Sequence, residues 1–154
     1  MTIAPVVRSV EVKVPPARAF ELFAGHMSRW WHEGHHIAPT PFQDIVVEPR
    51  EGGRWFERDA EGNECEWGKV LEWDPPRRLV LGWQLGADFK YDPDFLNEVE
   101  LAFTPAGSGT LVTLTHHNLQ RFGDAADKLA PSLGEGWAML LGLYRDFSTE
   151  ETAA

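Results

Sequence analysis

Valines alternate with polar residues over 6–14 (VVRSVEVKV): Val10, Val12 and Val14 fall on one side, Ser9, Glu11 and Lys13 on the other. That period of two predicts a half-buried β-strand. Pro15 and Pro16 end it, and Pro16 suits the first turn of a helix. Ala19, Phe20, Leu22 and Phe23 then supply a short helical face that closes at Gly25. Met27, Trp30 and Trp31 follow at helix-like spacing until Gly34 breaks the pattern.

The stretch 42–117 reads as a meander of strands at 43–49, 53–59, 64–73, 79–86, 96–104 and 110–117. Turn chemistry separates them: Gly52-Gly53, the segment Asp59 to Asn63, Asp74-Pro75-Pro76, and Ala106 to Gly109. The link 87–95 (ADFKYDPDF) is longer and irregular. Alternation is clearest at Leu79, Leu81, Trp83 and Leu85, and at Val99, Leu101 and Phe103. Short connections predict antiparallel pairing of neighbours. In 64–73 the period fails, because a face holding Trp67, Leu71 and Trp73 also takes Lys69.

Asp124 to Ala130 predicts a short helix ending before Pro131. From Gly136, Trp137, Leu140, Leu141, Tyr144 and Phe147 fall near i, i+3, i+4, i+7 and i+10, a broad apolar stripe. A helix with a face to bury and a sheet with a face to cover are expected to pack together, which makes the fold class α+β. The expectation is one domain over 1–154 with its core at about 6–148.

Composition adds limits. A chain of 154 residues buries roughly 70% of its unfolded surface, enough for a core without staples. Fourteen Lys and Arg against 24 Asp and Glu give a formal charge of −10, with no basic stripe for nucleic acid. No apolar run approaches the roughly 20 residues that span a bilayer, so membrane insertion is not expected. Cys65 is the only cysteine, which rules out an internal disulfide and suits a reducing compartment. Met1 to Val14 lacks a signal-peptide layout, so the expected location is the cytoplasm.

The order strand, two short helices, six-strand meander and C-terminal helix resembles the START-like (SRPBCC, Bet v 1-like) helix-grip fold. Further motifs narrow the resemblance to single-domain homologues of the heat-shock-protein-90 ATPase activator. They are Glu48 to Glu57 (EPREGGRWFE), Trp67-Gly68-Lys69-Val70, Asp74-Pro75-Pro76-Arg77-Arg78-Leu79 and Trp83. Trp30-Trp31, Thr113-Leu114-Thr115-His116 and Gly136-Trp137 complete the set. The resemblance implies a curved antiparallel sheet wrapped around the long last helix, with an internal cavity that binds something flat or greasy. It also leaves a homodimer, a cyclase- or hydrolase-type activity and a chaperone-associated stress role open.

Seven tryptophans in this length suggest a pocket walled by flat rings or a bulky core. The residues expected to line such a pocket are Trp31, Trp55, Trp83, Tyr91, Phe95, His116, Trp137, Leu141 and Tyr144. The expected partner is a small apolar or aromatic molecule, without a cofactor. His116 alternates inward with Val112 and Leu114 while His117 points out, so His116 is the one candidate general base, or else a satisfied core histidine. Trp30 to His36 (WWHEGHH) offers His32, His35 and His36 as metal ligands, but without HExxH order and with Gly34 inside, solvated loop histidines are the simpler reading. Glu57, Glu64 and Glu66 lie across a predicted hairpin and offer paired carboxylates for acid–base work, although exposed hairpin-tip acids are the simpler reading; Cys65 reads as a core thiol. Lys90 and Tyr91 sit on the long link, where a lid is expected.

Overall fold

The computed structural model describes residues 4–32, 42–86 and 90–153. In chain order the elements are β1 (Val6–Val12), α1 (Pro16–Gly25), α2 (Met27–Trp30), β2 (Phe42–Val47) and β3 (Arg54–Asp59). They continue with β4 (Glu64–Asp74), β5 (Arg78–Trp83), β6 (Asn97–Ala106), β7 (Gly109–His116), a 3-10 segment (Leu119–Ala125) and α3 (Ala126–Ala153). Pro15 occupies the N-cap of α1 with extended backbone and Pro16 its first turn, as their fixed φ dictates.

All seven strands join one antiparallel sheet in the order β1-β7-β6-β5-β4-β3-β2. Hairpins make every neighbour pair from β2 to β7. Only β1 pairs at a distance, with Val6 opposite His116 and Val12 opposite Thr110. The sheet curls, and its concave face carries Leu79, Leu81, Trp83, Val99, Leu101, Phe103, Val112 and Leu114 into one core with α1, α2 and α3. Each such large side chain contributes roughly 1.5–3 kcal/mol by leaving water. Tyr144 ties the helices together: its hydroxyl donates to Ala19 O at 2.8 Å, and its ring meets Phe23 at 5.2 Å and Trp30 at 5.4 Å.

Two sequence expectations are corrected here, and the open parity of β4 is resolved. Pro131 does not end a helix; it lies inside the continuous 28-residue α3. It is exposed and near the N-terminal end, so the helix loses one backbone bond on its solvent side and continues. The failed period of β4 is caused by two β-bulges. The register steps from Trp55–Gly68 to Phe56–Glu66 and from Val70–Leu81 to Glu72–Val80, leaving Trp67 and Leu71 as the extra residues. Trp67, Gly68, Val70 and Trp73 therefore share the inner side, while Lys69 and Leu71 are exposed. Glu57 is not a hairpin-tip acid in water: it is 0% exposed. It shares the inner parity of Trp55 on β3. Glu64 and Glu66 do lie on the rim, where both pair with Arg54.

Candidate functional site: an indole circuit on the concave face

Five of the tryptophans meet in a closed circuit. Trp31 packs on Trp67 at 5.1 Å between ring centroids, Trp67 on Trp55 at 5.3 Å, and Trp55 on Trp83 at 6.1 Å. Trp83 then meets Trp137 at 5.9 Å, and Trp137 returns to Trp31 at 5.9 Å. Four of these five contacts are edge-to-face, with interplanar angles of 72°, 63°, 66° and 81°, as ring quadrupoles favour. The five rings come from the residue after α2, from β3, β4 and β5, and from α3.

Gly68 makes the circuit possible. Trp55, Gly68, Trp83 and Asn97 are successive cross-strand partners, forming a straight row over β3, β4, β5 and β6. Two strand spacings separate Trp55 from Trp83, about 10 Å of sheet, yet their rings close over the glycine between them. A Cβ at Gly68 would stand 1.6 Å from Gly82 O, so no other residue fits this approach.

Next to the circuit lies a neutral polar cluster. Trp137 Nε1–H donates to His116 Nδ1 at 3.1 Å, and His116 Nε2 lies 2.8 Å from Asn97 Oδ1. An indole nitrogen only donates, so Nδ1 carries the lone pair and the proton sits on Nε2, given to Asn97. The imidazole is 0% exposed. Burial, with a smaller electrostatic contribution from the neighbouring His117, lowers its pKa from 6.5 to about 3. His116 is therefore neutral with both ring nitrogens engaged. His117, one residue on, faces out and pairs with Glu100 at 2.9 Å.

Of the residues expected to line a pocket, Trp31, Trp55, Trp83, His116, Trp137, Leu141 and Tyr144 are buried in the shared core. Phe95 is half-buried against Phe122 at 5.0 Å, which in turn lies 6.4 Å from the His116 ring. Tyr91 stands apart: it is 38% exposed and forms a single bridge to Leu85 at the sheet end. Trp73 lies away from the circuit, edge-on to Phe20 at 4.9 Å. His32 is exposed, and His35 and His36 lie outside the described residues. Among the described residues no group of three or more His, Cys, Asp or Glu is arranged to hold a metal. Cys65 is half-buried rather than core, with burial pushing its thiol pKa up.

Sequence reasoning missed Asn97 and placed Glu57 in water rather than in the core. Asn97 shares the inner parity of Val99, Leu101 and Phe103, and a polar residue at an inner position is the signal that identifies it. Glu57 accepts the indole N–H of Trp67 at 2.9 Å, so a carboxylate also lines the inner side of the circuit. A polar depression of about 310 Å³ on the outer face, at Arg78, Glu98, Glu100, His117 and Asn118, is a different matter. Its polar groups pair with one another: Arg78 and His117 with Glu100, and the Asn118 amide donating to Glu98.

A curled antiparallel sheet closed over a long C-terminal helix, with two short helices after the first strand, defines the START-like (SRPBCC) helix-grip class. Within that class the chain belongs to the activator of Hsp90 ATPase homolog 1-like family, whose model matches residues 13–142. No curated protein is matched. Among solved structures, the chain is similar to an anthrahydroquino-gamma-pyrone synthase, Txn09, at 36% identity and a TM-score of 0.63, covering 92% of this chain and 97% of that one. It is also similar to CalC, a self-sacrificing resistance protein from Micromonospora echinospora (29% identity, TM-score 0.70, 96% of each chain). The Aha1 dimer from Colwellia psychrerythraea shares the fold at 16% identity and a TM-score of 0.65, covering 94% and 95%. Among the described residues no helix is long and apolar enough to cross a membrane.

Proposed function

We propose that the protein binds a small, flat apolar or aromatic molecule between the concave face of the sheet and α3. The observation that carries this reading is the closed circuit of five indoles, gathered from five separate places in the chain. A core needs bulk, and Leu or Phe would supply it; repeated indoles add flat apolar faces that stack on planar molecules. The similarity to a pyrone synthase at 36% identity supports the same ligand class. Catalysis by His116 is less well supported, since a general base needs a free lone pair and that of Nδ1 is occupied by Trp137.

Titration with anthracene tests the reading, because its absorption overlaps indole emission. Saturable quenching of tryptophan fluorescence at about one molecule per chain is the expected result. Emission that stays unchanged up to the solubility limit would overturn it.

A further inference from the structure

We infer that the ligand of this site carries neutral carbonyl-type oxygens, one an acceptor for the indole N–H of Trp55 and one for the side-chain amide of Asn97. This rests on the reading of the concave face as a binding site and adds the chemistry of what binds there.

Among the described residues Trp55 Nε1 and Asn97 Nδ2 are buried polar atoms with no hydrogen-bond partner, as is Gln84 Oε1, which lies outside the cross-sheet row of those two. Trp55 and Asn97 are both 0% exposed. More than nine in ten buried polar groups in proteins are paired, so two orphans in one neighbourhood require a reason. Both residues belong to the single cross-sheet row Trp55–Gly68–Trp83–Asn97, about 14 Å of sheet by strand spacing. Between them, Trp83 is already satisfied, donating its Nε1–H to Leu85 O at 2.9 Å. Trp67 and Trp137 are satisfied by Glu57 and His116. The open hydrogen-bonding capacity therefore lies at the two ends of the row.

Its sign is also defined. An indole nitrogen can only donate. Asn97 is oriented by its neighbour: His116 presents Nε2–H, so Asn97 must turn Oδ1 toward it and direct its NH2 elsewhere. Reversing that amide would set two donors against each other. Both orphans are donors and call for an acceptor on the ligand.

The charge of that acceptor follows from the surroundings. Among the described residues no Lys or Arg is buried, and the buried Glu57 and Asp59 lie on the same strand as Trp55. A carboxylate or phosphate would enter this interior without a counter-charge, at a steep desolvation cost. A ketone or quinone oxygen accepts the same hydrogen bonds without one. Stacking on indoles selects a flat skeleton, and the two donors select an aromatic ketone or quinone among flat molecules.

The matched probes are anthracene and 9,10-anthraquinone, which share a three-ring skeleton and differ by two carbonyl oxygens. Trp55→Phe deletes one donor, and Asn97→Asp deletes the other while keeping an acceptor for His116. The ratio of the two dissociation constants cancels stacking and hydrophobic contributions common to both probes. In at least one variant that ratio should move about three- to tenfold against anthraquinone, the range of one neutral hydrogen bond. Any change in anthracene affinity itself reports the altered stacking surface and divides out of the ratio. In the unmodified protein, the infrared carbonyl stretch of bound anthraquinone should lie below its position in hydrocarbon solvent, which needs no variant to fold.

Anthracene binding together with an unshifted carbonyl stretch, or with a ratio unchanged in both variants, overturns this inference and leaves the binding site standing. Failure of both probes to bind removes the site itself.

Discussion

Trp137 on α3 donates its indole N–H to Nδ1 of His116 at the end of β7, at 3.1 Å across 21 residues of chain. That bond joins the last helix to the last strand inside the core and selects the tautomer of the imidazole. A histidine in this setting gains nothing from protonation, because the new proton would displace Trp137 and bring a charge into an apolar interior.

Stability should therefore fall with acid in a window defined by His116. Its folded pKa of about 3 lies below the 6.5 of the open chain, so between those values the unfolded state binds the extra proton. Stability is complete above pH 6.5 and is lost progressively as pH falls toward 3, by an amount on the order of several kcal/mol. Urea midpoints measured from pH 7.5 to 4 should show this slope. A His116→Gln variant should lose part of it, and an equal slope in both proteins would assign the effect to other groups.

Removing the donor should strand the acceptor. Trp137→Phe leaves Nδ1 buried without a partner, which destabilises by about 1–3 kcal/mol. Trp137→Ala opens a cavity as well and is expected to lose about 3–5 kcal/mol. Equilibrium unfolding gives both values, and a loss below 1 kcal/mol for the alanine variant would show that the ring is not core.

Gly68→Ala should be among the most damaging small substitutions in the chain. Its Cβ would lie 1.6 Å from Gly82 O, so β4 and β5 must separate and the indoles of Trp55 and Trp83 must part. A loss of at least about 3 kcal/mol is expected from such overpacking. Gly25→Ala, with nothing within 4 Å of the new methyl, is the control and should stay within about 1 kcal/mol of the parent. Comparable thermal midpoints for the two variants would contradict the geometry.

Tyr144→Phe tests how α3 holds α1. It removes the hydroxyl that donates to Ala19 O at 2.8 Å and keeps the ring against Phe23 and Trp30. The expected loss is about 1 kcal/mol, one neutral hydrogen bond. Denaturant unfolding measures it directly; no loss would mean that water replaces the hydroxyl at that carbonyl.

Where one strand face meets water and the other the core, the chain announces its structure residue by residue. Val99, Leu101 and Phe103 alternate with Glu98, Glu100 and Ala102, and the structure turns the first set inward and the second outward. The same alternation placed His116 inside and His117 outside. It failed on β4, since a bulge inserts one residue and reverses every later side chain, and no local composition marks Trp67 or Leu71 as the insertion. Pro131 misled for a related reason: a proline forbids one backbone bond, and whether the helix survives depends on what α3 packs against.

The candidate site divides along the same line. That the interior would be rich in indoles is a matter of composition, and that Trp83 and Trp137 face it is a matter of period. That five rings from distant positions close a circuit depends on sheet register and on two bulges, which are set by hydrogen bonds between strands. The burial of Glu57, the tautomer of His116 and the two unpaired donors of Trp55 and Asn97 depend on which atoms end up within 3 Å of one another. Periodicity encodes which side a residue faces, because that is a local property of the backbone. Pairing of polar atoms across the core is non-local, and only the folded chain decides it.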